Sequence, residues 1–261
     1  MANFTCILFG QSDNEAMARP PSLLCVGCWQ NLHVPVALRG IASIPFRLVG
    51  LRPSRMNPNT CTFCEIAFTK VMRARNVTID ASVFFADLRG YTNLTRNLPP
   101  QTMAALLDTF YDACGDAIWD HDGLLNKTIG DAVMAVFNFP IQHPDDHAEQ
   151  AVQAARDLQA SCQAKFTAFA ATHGLDAKEL GVGIGIDSGS VAFGEFGHTH
   201  RDLTAIGTVV NRAARAQAAA APGQILVTKE VHDRAPTLSW PGPATDYQLK
   251  GFDSPISLYA A

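Results

Sequence analysis

The chain of 261 residues is 48% hydrophobic and 17% charged, which suits one substantial core with a small appendage and excludes a disordered chain. Its formal charge of −4 is unevenly spread: residues 1–75 carry eight Lys/Arg against three Asp/Glu, and residues 76–261 carry twelve against twenty-one. An acidic larger part repels polyanions such as DNA yet suits a small anion arriving with a divalent cation, and no run approaches the roughly 20 apolar residues that span a bilayer.

Residues 1–22 read as a mobile lead ending in Pro20-Pro21. The start lacks a basic segment ahead of its short apolar run, so no signal peptide is expected and the location is expected to be cytoplasmic. Residues 23–65 are rich in Cys, Pro, Gly and Arg, with little helical period. They contain two C-x-x-C knuckles, Cys25/Cys28 and Cys61/Cys64. Four thiolates on two knuckles suit tetrahedral Zn²⁺, and a lobe with a poor core gains most from such a staple. A small four-cysteine, zinc-ribbon-like metal-binding lobe is therefore expected; an iron–sulfur cluster, a redox-active thiol pair and unligated thiols are the alternatives. Cys6, Cys114 and Cys162 are spare, the last two as core thiols, and His33 is not expected to be a ligand. The basic run Arg39, Arg47, Arg52, Arg55, Lys70, Arg73 and Arg75 is expected to pack on the acidic part, within or across a pair of copies, rather than on nucleic acid or anionic lipid. A connecting helix is placed at residues 66–79, ahead of a larger unit at residues 80–261.

That unit alternates strand and helix signals. Residues 81–87 form a short apolar run rich in Val and Phe, a buried strand. Pro99-Pro100 opens a helix through Asp120, striped by Met103, Leu106, Leu107, Phe110 and Cys114. Residues 123–138 read as two strands about a turn at Ile129-Gly130, and residues 145–173 as a long helix. Residues 181–186 and 190–196 read as a hairpin turned by Asp187-Ser188-Gly189. A helix from Thr208 and strands near residues 225–228, 247–250 and 257–259 follow. The order βαββαβ predicts an α+β, ferredoxin-like fold elaborated at its C-terminal end.

Asp87 ends the first strand, and Gly90 just beyond it lets backbone amides approach an anion. Asp131 lies at the turn of the next hairpin, so the two carboxylates can converge as a seat for divalent cations. Either alone reads more readily as a turn aspartate. Asn211 and Arg215, four apart, share a helix face that can meet developing negative charge; in isolation such a pair reads as a solvated surface. Lys127 can donate to a purine ring nitrogen and Lys250 can meet a phosphate, though each alone reads as a surface lysine.

These segments identify a resemblance. FADLRGYT at 85–92, KTIGD at 127–131, GIGIDSG at 183–189, GTVVNRAAR at 207–215 and LKG at 249–251 resemble the class III adenylate/guanylate cyclases, from about residue 80 onward. The resemblance implies conversion of ATP to cyclic AMP and pyrophosphate. It implies two Mg²⁺ or Mn²⁺ ions held by Asp87, Asp131 and the backbone carbonyl of Leu88, with amides near Gly90, Tyr91 and Thr92 around the phosphates. It further implies that Lys127 and Thr204 read the purine, Asn211 orients the ribose, Arg215 stabilises the transition state and Lys250 binds the phosphate tail. Each site would be shared across a homodimer, the acids from one protomer and the remaining side chains from the other. Many relatives carry Asp where Thr204 stands; Thr is similar to a bacterial-type subgroup that responds to bicarbonate. Some carry Arg at the position of Gln224. A guanylate cyclase would more usually carry Glu in place of Lys127. A catalytically silent nucleotide-binding regulator and a zinc-dependent nucleic-acid binder are the competing readings. The Gly-Gly-Asp/Glu-Glu-Phe hairpin of diguanylate cyclases is absent.

Overall fold

The computed structural model describes residues 22–176, 180–197, 199 and 201–261. Apart from residue 22, the expected mobile lead lies outside the described residues, as does Cys6. The chain begins with short helices α1 (Val26–Leu32) and α2 (Ile44–Leu48), then α3 (Thr62–Ala74) leads into the long strand β1 (Val77–Arg89). After it come α4 (Tyr91–Asn97), α5 (Pro100–Asp120), the hairpin β2 (Leu124–Ile129) and β3 (Ala132–Phe137), and α6 (His147–His173). The chain continues through β4 (Gly181–Phe196), β5 (Asp202–Ile206), α7 (Thr208–Ala219), β6 (Ile225–Thr228), α8 (Lys229–Arg234), β7 (Thr245–Tyr247) and β8 (Ile256–Ala260).

All eight strands join one sheet, ordered β2-β3-β1-β4-β6-β8-β7, with β5 paired to β4. The stretch β1-α5-β2-β3-α6-β4 carries the expected ferredoxin-like order. Among the described residues only β4 and β6 run parallel. β1 is covered on both faces, and its alternation divides the core. Phe84, Ala86 and Leu88 pack with α5 and α6, beside Leu106, Phe110, Val152 and Leu158. Ala81, Val83 and Phe85 pack the other way, with Phe68 and Met72 of α3 and Val209 and Ala213 of α7. Cys114 and Cys162 are buried in the first of these clusters, as core thiols.

Several elements differ from expectation. The predicted hairpin at residues 181–196 is one unbroken strand, paired with β1 from Val77↔Phe193 to Arg89↔Gly181. Its glycines serve close packing rather than a reversal: a Cβ at Gly185 would overlap the backbone of Ala213 and Gln217 on α7. The hairpin that does form joins β4 to β5, a strand absent from the sequence reading. Residues 23–65 hold α1, a 3-10 turn at Ile41–Ser43 and α2, too short to show a period. The late strand stops at Tyr247, so Lys250 sits in an exposed turn rather than at a strand end. Buried Leu249 anchors that turn against Ala216 of α7 and Ala220 just past its end.

The cysteine-bearing segment has its own small core of Cys25, Cys28, Val36, Leu38 and Cys61. It docks on the larger part mainly through neutral groups, with Asn59 Nδ2 also donating to the Asp122 carboxylate at 3.0 Å. Asn57 Nδ2 donates to Gly123 O at 2.9 Å, Asn59 Nδ2 to Trp119 O at 2.8 Å, and Trp119 Nε1 to Met56 O at 2.9 Å. Of the basic run, Arg73 reaches Glu195 of the larger part at 3.5 Å, whereas Arg47, Arg52 and Arg55 form no ion pair within the chain among the described residues. Asparagine and tryptophan need no partner charge and lose less on desolvation than arginine does.

Candidate active site

β1 and the β2–β3 turn deliver the two acids. Asp87 pairs with Ala132 in the ladder, and Leu88 N–H donates to Asp131 O at 3.1 Å. Gly130, at φ 61°, makes the turn that swings Asp131 back to the strand end. Tyr111 of α5 donates its hydroxyl to Gly130 O and steadies that turn. Burial, together with the negative charge of Asp131, pushes the Asp87 carboxyl up to about 6, while Arg89 pulls it down. Two carboxylates that repel one another at a half-buried strand end are a donor set a divalent cation satisfies. The Leu88 backbone lies between them.

Gly90, at φ 80°, turns the chain out of β1 into α4, which begins at Tyr91. The first-turn N–H groups, including those of Tyr91 and Thr92, have no partner within the helix. No element is assigned to residues 91–97 from the sequence. A helix of seven residues leaves too little period to detect.

A second group forms where β2 meets β5. Asn126 Nδ2 donates to Leu203 O at 2.8 Å, and Thr204 Oγ1 donates to Asn126 Oδ1 at 3.3 Å. Beside them Lys127 Nζ is paired with Asp202. Lys127 and Thr204 are therefore drawn together across 77 residues of sequence by their neighbours Asn126 and Asp202. Asp202 was missed in the sequence, because nothing local marks an acid two residues before Thr204 as the lysine's partner.

The third group is α7 and the turn beside it. Asn211 and Arg215 are both exposed on one face of the helix, and Lys250 is exposed in its turn near the helix end. No hydrogen bond or ion pair joins Asn211, Arg215 or Lys250 to Asp87 or Asp131 among the described residues. Two features seat α7. Gly185 lets its backbone approach β4 closely. Arg212 turns inward to Asp187, which is fully buried and also accepts from Thr228 Oγ1 at 2.7 Å. Burial pushes the Asp187 carboxyl up, and Arg212 and Thr228 oppose that shift. Arg89 ties the acid corner to this helix, lying 3.7 Å from Asp87 while its Nη2 donates to Gln217 O. From the sequence no role falls to Arg89 or Arg212, and Asp187 reads as a turn residue, which the unbroken strand β4 corrects.

Away from these groups, the sulfurs of Cys25, Cys28, Cys61 and Cys64 all lie within 4.8 Å of one another. Cys28 Sγ is 3.5 Å from both Cys61 and Cys64, and Cys25 Sγ is 3.7 Å from Cys64. A disulfide would need about 2.05 Å, whereas a tetrahedron of sulfurs at about 2.3 Å from a zinc ion has edges of about 3.8 Å. Hydrogen bonds from Cys25, Cys28 and Cys64 hold the Cys61 thiol below its ordinary value. Cys25 Sγ also accepts from the N–H groups of Cys28 and Cys61, at 3.3 and 3.1 Å. His33 caps α1 through its backbone and is not part of the cluster.

Comparison with known proteins agrees with this architecture. Residues 73–253 match the family model for the adenylate and guanylate cyclase catalytic domain. An uncharacterized protein of Mycobacterium tuberculosis, and one of Mycobacterium bovis, are 36% identical over 199 residues, 74% of this chain and 44% of theirs. The chain thus spans less than half the length of these curated relatives. Among solved structures, the adenylyl cyclase CyaB from P. aeruginosa superposes with a TM-score of 0.65 at 27% identity, covering 71% of this chain and 95% of that one. The guanylyl cyclase Cya2 superposes with a TM-score of 0.65 at 24% identity, covering 71% and 92%, a likeness of fold. With its family model matched across the sheet, the acid pair and α7, this chain belongs to the adenylate and guanylate cyclase catalytic domain family.

Proposed function

We propose that this chain is an adenylate cyclase, converting ATP to 3′,5′-cyclic AMP and pyrophosphate at sites shared across a homodimer. The observation that carries the reading is the convergence of Asp87 and Asp131, whose mutual repulsion calls for a cation. Asp87, Asp131 and the Leu88 carbonyl would hold two Mg²⁺ or Mn²⁺ ions. Bound there, such ions supply acidification of the ribose 3′-hydroxyl and neutralisation of the triphosphate.

The chain's own side chains do the rest. The 3′-oxygen forms its bond to the α-phosphorus as the bond from that phosphorus to the α–β bridging oxygen breaks; pyrophosphate departs with the bridging oxygen, and the hydroxyl proton passes to solvent water. Arg215 meets the charge that accumulates on the α-phosphoryl oxygens, a role that can contribute about 10³-fold or more in rate. The Asn211 amide orients the ribose. Lys127 donates to a purine ring nitrogen, and the Thr204 hydroxyl accepts from the adenine amino group. Lys250 and the amides at Gly90, Tyr91 and Thr92 take the phosphate tail. Asn211, Arg215 and Lys250 stand exposed and unconnected to the acids of their own protomer, which supports their action on a partner's acids. Separately, the four cysteines would hold a structural Zn²⁺, a reading supported by their sulfur spacing.

The test is incubation of the purified chain with ATP or GTP and Mn²⁺, with cyclic product as the readout. Cyclic AMP from ATP is expected. Preference for GTP would remove the substrate assignment and leave the cyclase. No cyclic product from either nucleotide would remove both. Mixing Asp87→Ala and Arg215→Ala chains, each inactive alone, should restore turnover if the two residues act from opposite protomers.

A further inference from the structure

Beyond the catalytic reading, the geometry points to a docking surface for an anionic lipid bilayer on the cysteine-bearing lobe. Isolated exposed aliphatic residues are ordinary, but a contiguous group of them is not. In the segment from Arg39 to Gly50 only Ser43 and Phe46 turn inward, Phe46 into the cysteine core. Ile41, Leu48 and Val49 are 87%, 83% and 75% exposed, and Ile44 is exposed beside them. Such values describe side chains standing on a convex ridge. Gly50 O accepts from Thr62 Oγ1, and Thr62 N donates to Arg52 O, so the ridge runs on to the start of α3, where Phe63 and Ile66 are also exposed.

The charge around the ridge selects the occupant. Between Glu15 and Glu65 the sequence has no Asp or Glu, while Arg39, Arg47, Arg52 and Arg55 are all exposed. Arg39 is hydrogen-bonded to Ser22 O and Asn59, and the other three form no ion pair among the described residues. Aliphatic side chains ringed by arginines match the acyl boundary beneath anionic headgroups. Single-stranded nucleic acid would call for a series of aromatic platforms, and the ridge offers Phe63 alone among aliphatic tips. A second copy of the chain would call for a broad complementary face, which a narrow ridge does not present. The acidic residues 76–261 are repelled by the same bilayer, so the lobe faces the lipid and the catalytic part faces away. No helix among the described residues is long and apolar enough to cross a membrane, so the attachment is peripheral.

The experiment is co-sedimentation of the full chain with vesicles of phosphatidylcholine alone or with phosphatidylglycerol. Binding only to the phosphatidylglycerol vesicles, weakened by added salt, is expected. Replacing Ile41 and Leu48 by Ser should weaken it about tenfold per side chain, from the apolar area withdrawn. Replacing Arg47 and Arg52 by Gln should weaken it about fivefold per residue. Both variants should keep bound metal and cyclase turnover without vesicles; should the Ser variant fail to fold, the Gln variant carries the test. Absence of sedimentation with phosphatidylglycerol vesicles overturns the proposal, as does undiminished binding by a folded variant. Dissociation of a dimer by the Ser variant with vesicle binding intact overturns it in favour of a second copy. Binding of a single-stranded oligonucleotide with no vesicle binding also overturns it.

Discussion

Arg212 stands between Asn211 and Arg215 in sequence, yet its guanidinium turns away from both and grips Asp187, Nε 2.6 Å from one carboxylate oxygen and Nη2 3.1 Å from the other. Nη2 also meets Glu230 at 2.9 Å. The helix that offers two polar groups to solvent is thus pinned from behind by a third. Removing one partner of a buried pair leaves an uncompensated charge, a loss of about 3–5 kcal/mol. Arg212→Ala should therefore lower stability in urea by that order, and turnover should fall as α7 loosens. Asp187→Asn with Arg212→Met should recover part of the stability; a double variant no better than the single would show that the pair is not the pin.

Lys127 must exchange Asp202 for a purine nitrogen if it is to read the base. The pair is partly exposed, with Asp202 52% accessible, and such pairs are worth no more than about 1 kcal/mol. Asp202→Asn should accordingly lower the KM for ATP by no more than about fivefold, with kcat little changed. Initial-rate kinetics decide the matter. A raised KM would mean that Asp202 holds the lysine in its working position.

The cysteine cluster predicts one zinc per chain by elemental analysis. Replacing Cys61 and Cys64 by Ser should abolish it and cost at least about 2 kcal/mol, a drop in thermal midpoint of about 4–8 °C. Because Asn57, Asn59 and Trp119 tie this lobe to the residues leading into β2, turnover and self-association should weaken with it. Undiminished activity in the variant would separate the metal from the pairing of protomers.

His147 predicts an acid limit. It is buried, with Nδ1 donating to Ser82 Oγ at 2.8 Å and Nε2 accepting from Arg234 at 3.1 Å. Burial, with Arg234 close by, pulls its pKa down to about 4, though Asp80 opposes this. Above about pH 8 the imidazole is neutral in folded and unfolded chains alike, and it contributes no pH dependence. As pH falls toward 4 the unfolded chain takes the proton first, so stability declines by about 3 kcal/mol and then levels. His147→Gln should flatten that window relative to the natural chain in urea titrations run across it. Parallel curves would exclude the histidine as the source.

How much was legible follows from how local each signal is. β1, α5, α6 and the β2–β3 turn announce themselves through runs, stripes and a glycine, and they bring Asp87 to Asp131. β4 was misread because its glycines resemble a turn, when their missing side chains serve α7 lying above. β5 is five residues at a strand edge, with too little alternation to stand out. Arg212 with Asp187, and Lys127 with Asp202, are contacts across 25 and 75 residues. No neighbouring residue encodes them, so only the folded sheet reveals them.

The thirteen-pair ladder between β1 and β4 has a consequence for tolerance to change. A strand's pleat sends alternate side chains to opposite sides, so sliding β1 by a single step would send Asp87 under α5 and turn Phe84 out to the opposite face. An inserted or deleted residue anywhere along residues 77–89 would therefore misplace a charged group and an aromatic ring together. Length variation in this chain has room only beyond the ends of that ladder.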